Sequence, residues 1–399
     1  MKILFGILAI CILAFIGSRW SFAHFRMPRF AIQVFFTGAE FILVGLILGP
    51  FVLNVIDAAT WDALHPIRAL CLGWIGFVFG LHLESAVIRR FPREFLPIAL
   101  YMPLAVTLLV FIPMSLAVHE VFKPSGIASW TAVLVLSFTA AHTGPSSLAI
   151  FQKTHTLKRS QMLNLFRFVA GLDAYPGVIA TGIAGALLST DLPFGSLIHP
   201  ALAWFLITTA TGLLMGAVLI LLMETRPRDE EVFVYLTGII VILGGIGFYF
   251  HQSCLYMAAV AGAVTANHSS GARLHVLATV PERTIYIILL ILAASSIDPA
   301  TSIHPVLIAT YVFIRFSAKL VAGSGAAALW GRWPLTHRSL GFGLISEGGM
   351  SVAMAMTMAQ IIPGPVADTI LAVVLVSVFF HELVSPYALE YVFKRAGKL

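Results

Sequence analysis

Long apolar runs, separated by brief polar or basic breaks, fill almost the whole chain. Thirteen can be drawn, over residues 3–18, 31–55, 66–85, 94–119, 126–152, 162–189, 196–223, 231–250, 252–267, 282–297, 303–330, 335–361 and 363–391. Most lack the strict apolar–polar alternation of a lipid-facing barrel strand, so the pattern predicts helices. A helix needs roughly 20 apolar residues to cross a bilayer, and most of the runs approach or exceed that length. The two short runs flanking Phe250-His251-Gln252 allow either a tight external turn or an interruption within one long helix. The first run follows Lys2 and resembles a signal peptide. However, Ser18-Arg19-Trp20 is a poor cleavage site, and more positive charge follows the run than precedes it, which favours a retained helix.

Composition turns this pattern into a statement about solvent. Of 399 residues, 59% are hydrophobic and 11% charged, with a mean hydropathy of +0.96. A soluble domain is about half apolar and about a quarter charged. The balance excludes a soluble enzyme, a disordered chain and a nucleic-acid binder, despite the net charge of +6. The basic residues instead read as topological anchors. With the N-terminus outside, Arg19, Arg26, Arg29, Arg89, Arg90, Arg93, Lys153, Lys158, Arg159, Arg226, Arg228, Arg273, Arg283, Arg332, Arg338, Lys394, Arg395 and Lys398 fall in cytoplasmic segments. Lys2, Arg68 and Lys123 fall outside. This bias satisfies the positive-inside rule for an odd number of spans and places the C-terminus in the cytoplasm, as in a bacterial inner (plasma) membrane protein. Cys11, Cys71 and Cys254 stand singly, with no metal-binding spacing.

Charge inside the membrane costs on the order of 3 kcal/mol per group, so the few ionisable residues within spans are informative. They are Glu40, Arg167, Asp173, Arg315, Lys319, Glu347, His381 and Glu382, with His142 as a titratable addition. Asp173 has no basic residue at i±3 or i±4, so its partner must come from another helix. Arg315 and Lys319 are four apart and share a face. This set fits either a salt bridge that joins helices or a carboxylate that exchanges a proton or cation against a competing lysine. Arg167 is read as snorkelling or internally paired. Glu40 and Glu382 are candidates for internal ion pairs, and His381-Glu382 lacks the second histidine of a zinc HExxH site.

Two runs contain helix breakers at corresponding places. One reads Ser137-Phe-Thr-Ala-Ala-His-Thr-Gly-Pro-Ser-Ser147, and the other Gly341-Phe-Gly-Leu-Ile-Ser-Glu-Gly-Gly-Met350. Each belongs to the fifth span of a six-span half, with the seventh span between halves, which makes the halves inverted repeats. Paired interrupted helices in inverted halves point to a transporter's binding site near the bilayer midplane. Half-helix dipole ends and freed backbone groups there can offset or coordinate ions. Packing kinks are the plainer reading of Gly and Pro in a membrane helix.

Together these features resemble the monovalent cation:proton antiporter superfamily, in its thirteen-span bacterial branch. Ala39-Glu-Phe-Ile-Leu-Val-Gly-Leu-Ile-Leu-Gly-Pro50 and Gly73-Trp-Ile-Gly-Phe-Val-Phe-Gly-Leu-His-Leu-Glu84 are similar to that family's second- and third-helix motifs. His142-Thr143-Gly144-Pro145 stands where the family has Thr-Asp-Pro, Leu172-Asp173 where it has Asn-Asp or Gln-Asp, and Lys319 at its basic position in the eleventh span. The likeness extends over about residues 30–390. It implies an all-α polytopic membrane protein with about thirteen transmembrane helices, two inverted six-helix repeats and crossed discontinuous helices. Scaffold and dimerisation helices would occupy 1–90 and 226–300, core ion-binding helices 91–190 and 301–399, and a linker helix 191–225. It further implies a homodimer and elevator-type exchange of Na⁺ or K⁺ for H⁺, with Asp173 as carrier and Lys319 and Arg315 competing or compensating. No cofactor, no nucleic-acid partner, and no metal beyond the transported ion is expected.

Two departures bear on the site. Gly144 replaces the motif aspartate and Leu172 the amide, which removes two oxygen ligands. His142, Thr143, Ser146 and Ser147 beside Gly144-Pro145, and Ser346 and Glu347 beside Gly348-Gly349, are candidates to compensate. The losses also admit an organic anion or another solute on the same fold. A membrane-embedded hydrolase using Ser146 or His142 lacks a GxSG motif, paired catalytic aspartates and a zinc motif. A sensor would lack an output domain after residue 391.

Overall fold

The computed structural model describes residues 2–19, 38, 40–50, 52–122, 126–154, 161–189, 199–298, 302–330, 339–362 and 364–395. Among these, every regular element is helical: α1 (Lys2–Arg19), α2 (Glu40–Leu48), α3 (Ala58–Ala63), α4 (His65–Leu81), α5 (Ser85–Ile88), α6 (Phe95–Phe122), α7 (Ile127–Ala141), α8 (Pro145–Thr154), α9 (Gln161–Leu172), α10 (Tyr175–Leu188), α11 (Pro200–Glu224), α12 (Asp229–Tyr249), α13 (Cys254–Ala266), α14 (Gly271–Thr279), α15 (Glu282–Ser295), α16 (Pro305–Leu329), α17 (Leu340–Gly343), α18 (Gly349–Ile361) and α19 (Pro365–Arg395). Each of the thirteen apolar runs contains helix. Among the described residues, six helical stretches are long and apolar enough to cross a membrane alone: α6, α9–α10 together, α11, α12, α16 and α19. The pair α14–α15, bent by 51°, makes a seventh. The remaining runs are shorter or broken. Of the anchoring charges, Arg26, Arg29, Lys123, Lys158, Arg159, Arg332, Arg338 and Lys398 lie outside the described residues.

The outward faces are apolar. On α6, Leu104, Leu108, Ile112 and Leu116 form an exposed i, i+4 row, and α11 exposes Leu206, Leu213, Leu214 and Leu221. Such stripes have no place in water and match hydrocarbon. The protein is an integral membrane protein.

Inside, the helices pack closely because small residues line the contacts. α4 lies against α13, where a Cβ at Gly80 or Gly262 would overlap the backbone of Ala259 or Phe77. α4 also meets α12 and α15, and α2 packs on α15. A second set joins α6 to α7 and α16, and α18 to α7 and α19. The two sets meet where α10 touches α13 and where α18 and α19 touch α15, with α18 also against α4 and α13.

The ambiguous segment at 250–252 is a tight turn between α12 and α13. His251 takes a left-handed backbone (φ 52°), Gln252 N–H donates to Gly247 O at 2.8 Å, and Ser253 Oγ caps α13 by accepting from Tyr256 N–H at 3.1 Å. Two details depart from expectation. Residues 58–63, between the second and third apolar runs, form α3, capped by Asp57 Oδ1, which accepts from Thr60 N–H at 2.9 Å. The run at 162–189 is not one smooth helix, since it breaks between Leu172 and Tyr175. Pro176 explains the break: it has no N–H for the carbonyl of Leu172, and its ring would crowd that carbonyl in a continuous helix.

Candidate functional site

Both breaker motifs interrupt helices, and the two interruptions lie against each other. α7 ends at Ala141, residues 142–144 are non-helical, and α8 starts at Pro145. α17 ends at Gly343, residues 344–348 are non-helical, and α18 starts at Gly349. Proline tolerates the first helical position because no intrahelical partner awaits its missing N–H. The crossing is stitched by backbone: Gly144 N–H donates to Ser346 O at 3.2 Å, Ser346 Oγ–H to Gly144 O at 2.8 Å, and Thr143 Oγ1–H to Leu344 O at 3.3 Å. At its centre Gly144 and Gly348 touch. A Cβ on Gly144 would stand 2.9 Å from Gly348 N and 3.0 Å from Glu382 Oε1. A side chain at position 144, aspartate included, has no room here.

Two cations from α16 neutralise this crossing. Arg315, fully buried, donates through Nη1 to Ile345 O at 2.8 Å, and through Nη2 to His142 O at 2.9 Å and Ser346 O at 3.2 Å. His142 is the C-cap of α7, where the helix dipole is negative, and Ile345 and Ser346 lie in the non-helical stretch before α18. Its Nε lies 3.2 Å from Glu347 Oε2, an ion pair with both side chains fully buried. Lys319 Nζ donates to Ala141 O at 2.6 Å and to Thr143 Oγ1 at 2.8 Å.

Asp173 stands beside them, 1% exposed, at the break before Pro176. Its Oδ1 lies 3.1 Å from His142 Nδ1. Its Oδ2 is buried without a hydrogen bond, 3.9 Å from Lys319 Nζ. The carboxylate therefore sits in range of a cation while one oxygen is unengaged.

Glu347 and Glu382 occupy separate surroundings. Glu347 Oε2 accepts from Ser377 Oγ–H at 2.5 Å and lies 3.6 Å from His381 Nδ1, and Oε1 accepts from Tyr311 O–H at 3.5 Å. Tyr311 OH also meets Thr139 Oγ1 at 3.1 Å. Glu382 Oε2 accepts from Ser147 Oγ–H at 2.9 Å, and Ser147 Oγ contacts Ser385 Oγ at 2.7 Å. Ser146 follows Pro145 in α8, but its side chain lies outside the described residues.

The structure thus brings together Asp173, Lys319, Arg315, His142, Thr143, Gly144, Pro145, Ser147, Ser346, Glu347, Gly348, Gly349 and Glu382. It does not bring in Glu40, which opens α2 on the other packing set. Among the described residues Glu40 has no ion pair within 4.0 Å, and its Oε2 is buried without a hydrogen bond. It stands at the first turn of α2, with Arg283 in electrostatic range. Arg167 is exposed on α9. Tyr311, Ser377 and Ser385 enter the site without having been singled out. Tyr311 precedes Arg315 by one turn, and Ser377, His381 and Ser385 recur every four residues on α19, so helical spacing carried that signal.

No protein-family model matches the sequence, and no curated protein matches it. Solved structures do: the sodium proton antiporter MjNhaP1 from Methanocaldococcus jannaschii superposes with a TM-score of 0.67 over 100% of both chains, at 14% identity. The chain shares that antiporter's fold. The likeness agrees in class with the resemblance drawn from the motifs: a membrane-embedded, all-helical architecture over its full length.

Proposed function

We propose that the protein is a secondary transporter that exchanges a monovalent cation, Na⁺ or K⁺, for protons. Asp173 is the carrier carboxylate in this reading. The observation that supports it is Asp173 Oδ2, buried without a hydrogen bond at the crossing of two broken helices, 3.9 Å from a buried lysine. A proton or a cation satisfies that oxygen, and Lys319 competes with the cation for the same charge. Thr143 Oγ1, the Gly144 carbonyl and His142 are the neighbouring groups able to help hold the ion. Arg315 and Glu347 neutralise each other and fix the crossing.

In this reading thirteen spans place the N-terminus outside and the C-terminus in the cytoplasm of a bacterial inner membrane. Helices of 91–190 and 301–399 form a moving core, those of 1–90 and 226–300 a dimerising scaffold, and 191–225 the link between them. The two packing sets support that division.

The test is reconstituted flux in proteoliposomes with Na⁺, K⁺ and Li⁺ across a pH series. Wild type should show cation-dependent proton movement, and Asp173→Asn should abolish it without loss of folding. Unimpaired exchange in that variant overturns the assignment.

A second reading keeps the fold and changes the cargo to an organic anion. The tight Gly144–Gly348 contact favours it, since it leaves Asp173 as the acid beside Lys319 and His142 and removes the motif's first carboxylate. Solute uptake that persists with neither Na⁺ nor K⁺ present would select this reading.

A further inference from the structure

The exchange reading sets a cation and a proton in competition for the charge of Asp173. It does not require the proton to sit on that carboxylate. His142 stands beside it, 3% exposed, as the C-cap of α7. Its Nδ1 lies 3.1 Å from Asp173 Oδ1. An ionised carboxylate only accepts, so Nδ1 carries the hydrogen of this contact and Nε2 is left with a lone pair. Nε2 lies against Gly348, where a Cβ would come within 3.2 Å of it, and among the described residues it takes no hydrogen bond.

The next proton therefore has two places to go, Asp173 Oδ2 or His142 Nε2, and the surroundings separate them. On Oδ2 it would discharge the carboxylate, forfeit the attraction to Lys319 Nζ at 3.9 Å and weaken the contact with Nδ1–H. On Nε2 it leaves both in place. The contact at Oδ1 then joins an imidazolium to a carboxylate, which makes it about twice as strong as a neutral hydrogen bond. In water, an imidazole keeps its proton up to about pH 6.5 and a carboxyl only to about pH 4.

The charges around the ring are arranged to house an imidazolium. From α16 come Arg315, whose Nη2 donates to His142 O at 2.9 Å, and Lys319, bonded to Ala141 O and Thr143 Oγ1 on either side of His142. The positive end of α18, which starts at Gly349, adds to them. Against these stand Asp173, Glu347 in electrostatic range of the ring, and Glu382 of α19, whose Oε1 lies across Gly144. Tyr311 and His381 stand behind Glu347. Arg315 and Lys319 are matched in number by Asp173 and Glu347, and Glu382 tilts the balance towards one more positive charge. A proton on His142 brings the same charge to the site as a bound Na⁺ or K⁺.

We propose that the proton exchanged against the cation is held at Nε2 of His142, as an imidazolium paired with Asp173, and not on the Asp173 carboxyl. This rests on the exchange reading and names the atom that carries its proton. When a cation arrives at Oδ2, the Nε2–H bond breaks and its proton passes to water. The neutral imidazole that remains still donates through Nδ1.

Purified full-length protein is titrated with Na⁺, K⁺ and Li⁺ across a pH series, with binding read by calorimetry. Infrared difference spectra of protein with isotope-labelled histidine, taken on adding the cation, show which group loses the proton. On the acid side, wild-type affinity should fall towards tenfold per pH unit, about the limit for one competing proton. The spectra should lose imidazolium bands and no protonated-carboxyl band. His142→Asn keeps an N–H near the place of Nδ1 and has no titrating nitrogen. Its cation affinity should change by no more than about twofold between about pH 8 and about pH 6, where histidine ordinarily changes charge. The wild-type pH dependence in His142→Asn overturns the proposal, as does a proton displaced from a carboxyl in wild type. Should His142→Asn fail to fold, the wild-type spectra decide alone. Absence of cation binding by wild type at every pH overturns the exchange reading as well, whereas binding with the wrong proton displaced overturns only the assignment to His142.

Discussion

Lys319 Nζ stands 3.9 Å from Asp173 Oδ2 yet directs its hydrogen bonds elsewhere, to Ala141 O and Thr143 Oγ1. The ammonium thus lends charge to the carboxylate without occupying its free oxygen. Both side chains are almost completely buried, so their attraction is little screened.

Lys319→Gln should therefore retain hydrogen bonds to the end of α7 while removing the charge. We expect cation-dependent proton flux to persist with an altered pH profile, whereas Lys319→Ala should also lower stability by about 1–3 kcal/mol through the unmet Ala141 carbonyl. Flux against pH, together with thermal unfolding in detergent, separates the two effects. Identical pH profiles for wild type and Lys319→Gln would remove Lys319 from the proton balance.

Glu382 offers a control for the carrier. It accepts a hydrogen bond from Ser147, which an amide oxygen can also accept. Glu382→Gln should keep exchange where Asp173→Asn loses it. The reverse result in proteoliposomes would move the carrier to Glu382.

Gly144 admits no side chain. Gly144→Ala should destabilise the protein by about 1–3 kcal/mol, as overpacking does, and Gly144→Asp by more, because it adds an acid against Glu382. Thermal unfolding reads the difference, and an undiminished melting temperature in Gly144→Asp would contradict the contact.

The buried pair of Arg315 and Glu347 should behave asymmetrically. Removing the guanidinium with Arg315→Met leaves Glu347 without its counter-charge and the His142 and Ile345 carbonyls without this donor, at a cost of about 3–5 kcal/mol. Arg315→Met combined with Glu347→Gln should recover part of that loss. A double-mutant cycle on unfolding measures it, and strict additivity would show that the two do not interact.

Much of the fold was legible because helix breakers are conspicuous in apolar runs. Gly144-Pro145 and Gly348-Gly349 mark where α8 and α18 begin, and the isolated charge of Asp173 required a partner from another helix, found in Lys319. The break at Asp173 itself was harder to see, although Pro176 stands three residues on, since prolines also sit inside the intact helices α6 and α19. The acceptors of Arg315 are backbone carbonyls, which every residue possesses and no sequence marks. Tyr311, Ser377 and Ser385 were overlooked because neutral hydroxyls are common in membrane helices, and spacing gives their face but not the helix they meet.

Arg315 has one further consequence. A single guanidinium grips His142 O on one broken helix and Ile345 O and Ser346 O on the other, while Gly144 and Gly348 leave no gap between the chains. The crossing therefore has no internal joint. In the proposed exchange cycle it would have to be carried whole from one side of the membrane to the other, with slippage confined to its perimeter, where contacts such as that of Thr181 with Ser253 would break and re-form.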